Sequence, residues 1–449
     1  MSVDEPDETT DPLSDLVRRH RSGEAVGIVS VCSAHPLVLE ATMIDAAARG
    51  EQVLIEATSN QVDQTGGYTG MRPTDFRDLV RAIAGRSGIP SARIVLGGDH
   101  LGPNRWRGLP PEEAMANAEE LIAAYVRAGF TKVHLDCSMP CHGDQVPLSD
   151  EVVSERATRL MRVAEENAQE QSALSYVIGT EVPTPGGATQ AITTLAPTSR
   201  PSAVRTLNAH RAAVADQGLS RAWPRVRALV VQPGIEFDHV RVIDYDRART
   251  TDLQRVLEDE PAMVFEAHST DYQTPARLRA LVEDHWAVLK VGPALTFALR
   301  EALMGLAAIE SEVVERRHRS RLPEVIEDRM LARPSYWREY YVGDAHAQRL
   351  ARRYSFSDRV RYFWSDPAVH DAQDQLLENL SVVGIPLPLL SQHLPEQYAR
   401  VRDGVTAPEP RSLVIDRVRS VLRMYAAACS PTQPHGRRRV SGAAVGISI

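Results

Sequence analysis

The chain is poor in cysteine: Cys32, Cys137, Cys141 and Cys429 are the only four in 449 residues. A secreted disulfide scaffold carries cysteines more densely and in loops, and Cys137 with Cys141 is too small a set for a structural zinc knuckle. The thiols therefore read as reduced and the protein as cytoplasmic. Long apolar runs are missing too. No stretch approaches the ~20 residues of a membrane span, and the acidic, proline-containing residues 1–12 lack a basic-then-apolar leader pattern. There is no basic stripe either. The formal net charge is -8 with both signs mixed, which argues against nucleic acid as a partner, and Gly436-Arg437-Arg438-Arg439 reads as part of a solvated tail. A phosphate-binding P-loop, a kinase signature set and an internal repeat are all absent. The glycine-rich dinucleotide fingerprint is missing after the first apolar run, which counts against an open doubly wound sheet.

What the chain does have is a repeated grammar: a short apolar run that stops at polar residues. The runs cover residues 26–31, 53–57, 94–98, 132–136, 175–181, 228–232, 262–268 and 287–291. Amphipathic stretches lie between them, at 37–49, 75–87, 112–128, 150–170 and 278–284, with another at 300–315 after the last run. Eight strands alternating with helices predict an α/β fold, a closed (β/α)8 TIM barrel. The expected organisation is a flexible N-terminal segment over 1–20, the barrel over 21–321, a helical C-terminal extension rich in Arg, Tyr and Trp over 322–429, and a disordered tail over 430–449.

In such a barrel chemistry sits at the C-terminal ends of the strands, and that is where the polar residues fall. Leu96-Gly97-Gly98-Asp99-His100-Leu101-Gly102 ends one run; Lys132-Val133-His134-Leu135-Asp136, Gly179-Thr180-Glu181, Val231-Gln232-Pro233 and Phe265-Glu266-Ala267-His268 end others. Strand alternation places His134 with Asp136, Glu266 with His268, and Gly98 with His100 on shared faces. His100, Glu181, Gln232 and His268 are the candidate metal ligands, since two imidazoles, a carboxylate and a neutral oxygen suit a divalent ion such as zinc, manganese or magnesium. Structural histidines and substrate hydrogen bonders are the plainer reading of the same residues. Asp99, Asp136 and Glu266 are the candidates for proton transfer, or for orienting a neighbouring imidazole. Gly66-Gly67-Tyr68-Thr69-Gly70 fits a substrate-covering loop or an ordinary tight turn. Ser269, Thr270 and Gly292, in the loops after strands seven and eight, occupy the usual phosphate position of this fold. Lys290, on strand eight, fits charge pairing or phosphate attraction, and a Schiff base is a further chemistry open to a lysine.

The same residues carry a family resemblance. Ser30-Val31-Cys32-Ser33-Ala34-His35-Pro36, Ile55-Glu56-Ala57-Thr58-Ser59-Asn60-Gln61-Val62, Gly97-Gly98-Asp99-His100-Leu101-Gly102-Pro103-Asn104, Gly179-Thr180-Glu181-Val182-Pro183, Val231-Gln232-Pro233-Gly234, Ala267-His268-Ser269-Thr270-Asp271-Tyr272-Gln273-Thr274, Lys290-Val291-Gly292-Pro293-Ala294-Leu295-Thr296 and Ser357-Asp358-Arg359-Val360-Arg361-Tyr362 are the stretches concerned. With them, most of the chain resembles the GatZ/KbaZ family, the non-catalytic subunit of class II tagatose-bisphosphate aldolase. The resemblance implies a barrel of the class II aldolase type, in which Asp99 is the proton-transfer acid and His100 and His268 are ligands. Gln232 stands where those aldolases carry a third histidine. Asn60 joins the substrate-binding residues. The resemblance further implies a ketohexose phosphate as substrate. Its leading activity is metal-dependent C4 epimerisation of tagatose 6-phosphate to fructose 6-phosphate; the rival role is that of a stabilising partner for a catalytic class II aldolase subunit. A kinase label used for some members fits worst, because the kinase motifs are missing. Association of the chain with itself is left open.

Overall fold

The computed structural model describes residues 11–180, 182 and 195–431. Eight parallel strands close into a barrel in sequence order: β1 (Ile28–Val31), β2 (Val53–Thr58), β3 (Ile94–Leu101), β4 (Lys132–Leu135), β5 (Ser175–Ile178), β6 (Val226–Val230), β7 (Val264–Ala267) and β8 (Trp286–Val291). The strands are nearly continuous in Val, Ile and Leu because both faces are covered, one by helices and one by the barrel interior. Every anticipated strand is present, displaced by a few residues at its ends. An antiparallel hairpin, Glu236–Phe237 with Val242–Ile243, follows β6 and had no counterpart in the sequence reading.

The barrel interior is layered. Near its N-terminal end, Leu54, Val95, Val177, Ala228, Val264 and Val288 form an apolar layer. The helix Ser14–Arg21 presses Val17 against that layer, and Asp11 is fixed by Arg227 at 2.6 Å and by the Ser175 hydroxyl at 2.7 Å. Residues 14–20 are thus a stopper and depart from the flexible segment expected over 1–20. The open end of an apolar barrel must be covered, and Leu16 and Val17 supply the surface. Beside this stopper His20 and His285 share a hydrogen bond of 3.0 Å.

The C-terminal region is helical, from Leu322–Ala332 to Pro410–Cys429. Its last helix returns to the barrel wall, packing on helices Pro36–Arg49, Pro275–Glu283 and Pro293–Val313, and the Cys429 carbonyl accepts from the Gly27 N–H at 2.9 Å. Residues from 432 onward, in the anticipated tail, lie outside the described part of the chain. Among the described residues no helix is long and apolar enough to cross a membrane, and all four cysteines are free thiols.

Candidate active site at the C-terminal mouth of the barrel

Above the apolar layer the interior turns charged. Glu56, Lys132, Glu266 and Lys290 each lie two residues past an apolar-layer position, or at the equivalent register, and all are buried. Lys132 Nζ lies 2.7 Å from Glu56 Oε1 and 2.7 Å from Glu266 Oε2. Lys290 Nζ faces Glu56 at 3.4 Å, Glu266 at 3.3 Å and, most closely, Asp99. Burial pulls both ammonium groups toward neutrality, but the surrounding carboxylates outweigh it and keep them charged. Gly97 makes room for this layer, since a Cβ there would sit 2.7 Å from Glu56 Cγ.

Asp99 and His100 both reach the mouth because His100 has a left-handed backbone, φ 50°, where the β3–β4 register shifts. Simple alternation would have sent them to opposite faces. A non-glycine residue in that region is strained and is found chiefly where a site demands it. Burial pushes the Asp99 carboxyl up, yet His100, Lys290 and His134 outweigh it and hold it well below the usual carboxylate range. His100 Nδ1 lies 2.7 Å from Asp136, whose other oxygen is held by Ser138. Asp136 therefore orients the His100 ring, and with Asp99 it raises the imidazole's proton affinity despite burial. His268 is held neutral, at about 3, by burial and then by Lys290. Its ring stands 4.9 Å from that of His100 and 5.1 Å from that of His134.

A divalent ion fits this donor set. Asp99, His134, Glu266 and His268 offer oxygen and nitrogen atoms all within 4.8 Å of one another. His134 Nδ1 lies 2.9 Å from Asp99 and 3.2 Å from the His100 N–H; it serves one at a time, and the ionised carboxylate is the stronger partner, accepting a hydrogen bond from Nδ1–H. That leaves His134 Nε2, buried without a hydrogen-bond partner, as a free lone pair. The charge pattern agrees: Glu56, Asp99, Asp136 and Glu266 outnumber the two lysines, leaving negative charge for a cation to offset.

The ligand set anticipated from sequence is only partly brought together. His100 and His268 do meet, but His100 spends Nδ1 on Asp136, and its Nε2 faces Asp99 at 3.6 Å. Gln232 is committed elsewhere, its Oε1 accepting from the Gly234 and Ile235 N–H groups at 2.8 and 2.9 Å to hold a turn. Glu181 lies outside the described residues. His134, Lys132 and Glu56 were missed. The available signal was a charged or imidazole residue inside an apolar strand, as in Leu54-Ile55-Glu56-Ala57.

Asp99, His100 and His268 floor a cavity of about 350 Å³, which His134 and Glu266 do not line; its size is within the range of about 300–1,000 Å³ common for small-molecule sites. Asn60, Ser269, Lys290 and Gly292 line it. Thr270 does not: its hydroxyl is used on the Lys290 carbonyl and the Tyr425 hydroxyl. Gly67, with φ 56° and an added Cβ 2.3 Å from the Gln61 carbonyl, marks a tight turn pinned by Asp63, from which Tyr68 and Thr69 face the cavity. The roof comes from the C-terminal region through Arg361, Tyr362 and Trp364, with Tyr362 packed on Tyr68 at 4.7 Å.

The chain has relatives among known proteins. The chain is similar to the crystal structure of a probable tagatose 6 phosphate kinase from Sinorhizobium meliloti 1021, at 50% identity over 90% of this chain and 100% of that one, with a TM-score of 0.84. It also matches a fructose-bisphosphate aldolase from Campylobacter jejuni at 12% identity over 82% of this chain and 92% of that chain, with a TM-score of 0.44. A family model described as D-tagatose-1,6-bisphosphate aldolase subunit GatZ/KbaZ-like matches residues 13–430, and the chain belongs to that GatZ/KbaZ-like family.

Proposed function

We propose that this chain is a divalent-metal enzyme that inverts C4 of ketohexose phosphates, interconverting tagatose 6-phosphate and fructose 6-phosphate. The observation that supports it most is that one chain supplies both an acid–base pair, Asp99 with the Asp136-oriented His100, and the roof that encloses it. The proposed ion ligands are His134, His268 and Glu266; Asp99 lies among them and is kept for proton transfer, with His100 beside it. An ion held there supplies positive charge next to the carbonyl end of the ketose.

The chain's own groups account for the proton movements. Asp99, kept ionised, takes the proton of the C4 hydroxyl. The C3–C4 bond breaks, its electron pair goes to C3 and the neighbouring carbonyl, and C4 becomes an aldehyde. The aldehyde turns its other face, C3 re-attacks, and the proton returns to the C4 oxygen. Asp136 keeps His100 aimed at the same oxygen, and Lys290 holds Asp99 in place. Retention separates this outcome from an aldolase, and the aromatic roof of Tyr68, Tyr362 and Trp364 retains the aldehyde.

The test is incubation of the purified chain alone with tagatose 6-phosphate and zinc, manganese or magnesium. Fructose 6-phosphate forms with wild type and not with Asp99→Asn. Absence of turnover with all three metals overturns the reading. It would then favour the second one, a partner subunit of a class II aldolase, which the family description supports.

A further inference from the structure

Barrels of this type ordinarily hold phosphate at the helix that follows the last strand, where free backbone N–H groups face the site. Here that place is taken. Asp271 Oδ1 accepts from the Gly292 N–H at 3.1 Å and the Ala294 N–H at 2.7 Å, capping helix Pro293–Val313 with a carboxylate. Neighbouring Thr270 is spent on Lys290 and Tyr425. An anion placed there would meet the Asp271 carboxylate in place of bare N–H groups.

The remaining cations of the cavity wall differ in how they are paired. Lys290 is enclosed by three carboxylates, and Arg411, at the rim, pairs with Glu40. Arg361 is different. Its guanidinium is held by neutral oxygens only: the Ser357 carbonyl, the Asp358 carbonyl at 3.3 Å and the Tyr362 hydroxyl at 3.2 Å. Its carbon lies 4.7 Å from the Tyr362 ring centre. The nearest acid of its own segment, Asp358, is engaged by Arg300 at 2.7 Å and by the Thr296 hydroxyl. Arg361 thus forms no ion pair among the described residues, although it lines a cavity whose other fixed cations are all neutralised. A half-buried guanidinium oriented by neutral groups, with the Asp358 and Asp271 carboxylates near it but outside ion-pair distance, is the pattern of a site whose anion arrives with the ligand.

We propose that Arg361, on the C-terminal region and not on a barrel loop, is the specificity residue that binds the phosphate of the sugar. This deepens the ketohexose phosphate reading and rests on it for the identity of the sugar; the anion contact itself stands on the geometry of Arg361.

The test is equilibrium binding to the full-length protein by calorimetry, with tagatose 6-phosphate and inorganic phosphate as separate probes, on wild type, Arg361→Gln and Arg361→Lys, each checked by thermal melting. Arg361→Gln is expected to weaken tagatose 6-phosphate binding about 10- to 100-fold, the scale of a lost charge-assisted contact. Arg361→Lys, which keeps the charge but loses the fork, falls between. Inorganic phosphate competes with the sugar phosphate on wild type and not on Arg361→Gln. Unchanged affinity in a Gln variant that melts like wild type overturns the proposal. If the Gln variant does not fold, unchanged affinity in Arg361→Lys does so. Binding that depends on Arg361 without any turnover sinks the epimerase reading and leaves the anion site standing.

Discussion

Replacing Lys132 by Met removes the ammonium that lies 2.7 Å from both Glu56 and Glu266. Met fills most of the same volume, so packing is little changed and the effect is electrostatic. The two carboxylates, both fully buried, are left to share Lys290, which sits farther away at 3.3–3.4 Å and is already engaged by Asp99. Stripping one partner from a buried charge network leaves the other uncompensated and costs about 3–5 kcal/mol. Reversible urea titration followed by circular dichroism reads that loss. The companion variant is Lys132→Met with Glu266→Gln, which removes the surplus charge and recovers about half or more of the loss, a coupling of about 2–3 kcal/mol or more. Two results refute the reasoning: a single variant that costs less than about 1 kcal/mol, or a double variant whose cost is the sum of the two singles. Either would mean that the layer is held by packing and that its charges are not interdependent.

Three further outcomes follow from the same structure. The His285 contribution to stability falls as pH drops from neutrality: burial, then His20 and Arg21, lowers its imidazole to about 4, whereas the unfolded chain titrates near 6.5. The unfolded state therefore binds the extra proton between those values, and the contribution present above about pH 6.5 is lost by about pH 4, worth about 1–2 kcal/mol after allowing for the ring's partial exposure. In His285→Gln the melting temperature varies less steeply with pH over that window; an unchanged slope sinks the assignment. Gly97→Ala drives a Cβ to 2.7 Å from Glu56 Cγ, which Ser30, Lys132 and Lys290 prevent from moving, so it costs about 1–3 kcal/mol. By contrast Gly108→Ala, which meets open space, stays within about 0.5 kcal/mol. Calorimetric titration of chelator-treated protein with manganese gives one ion per chain for wild type and none for the His134→Ala/His268→Ala double variant; equal uptake by both rules out the cluster at Asp99, His134, Glu266 and His268.

The strands could be read because each is an apolar run of four to eight residues ended by Gly, Pro or a polar group, and closure follows from eight such units in alternation. The ends of β3 and β7 could be read for the same reason, which is why Asp99, His100, Glu266 and His268, which the fold brings together, stood out in the sequence. Three things were hidden. The left-handed turn at His100 breaks alternation, so the face assignment from strand period fails just where Asp99 needs it. Gln232 has a ligand's position but a turn's hydrogen bonds, and only the loop conformation reveals that. The roof was unreadable because Arg361 and Tyr362 lie more than sixty residues past β8 and reach the mouth through packing, not through any local pattern.

The interior layering explains why the site lies at one end and why its charges are tolerated. The N-terminal third is apolar and closed by Val17, so a cation or an anion there would have no partner. One register step higher, Glu56, Lys132, Glu266 and Lys290 neutralise one another within the barrel wall, where side chains from neighbouring strands cannot drift apart. A second step higher, Asp99 shares Lys290 with that layer, and this single shared ammonium joins a structural charge network to the proton-transfer group. Buried charges of this kind give little net stability compared with apolar residues of the same size. Their presence on four strands is therefore better explained by what they position than by what they stabilise: Lys290 fixes Asp99, and Asp136 fixes His100.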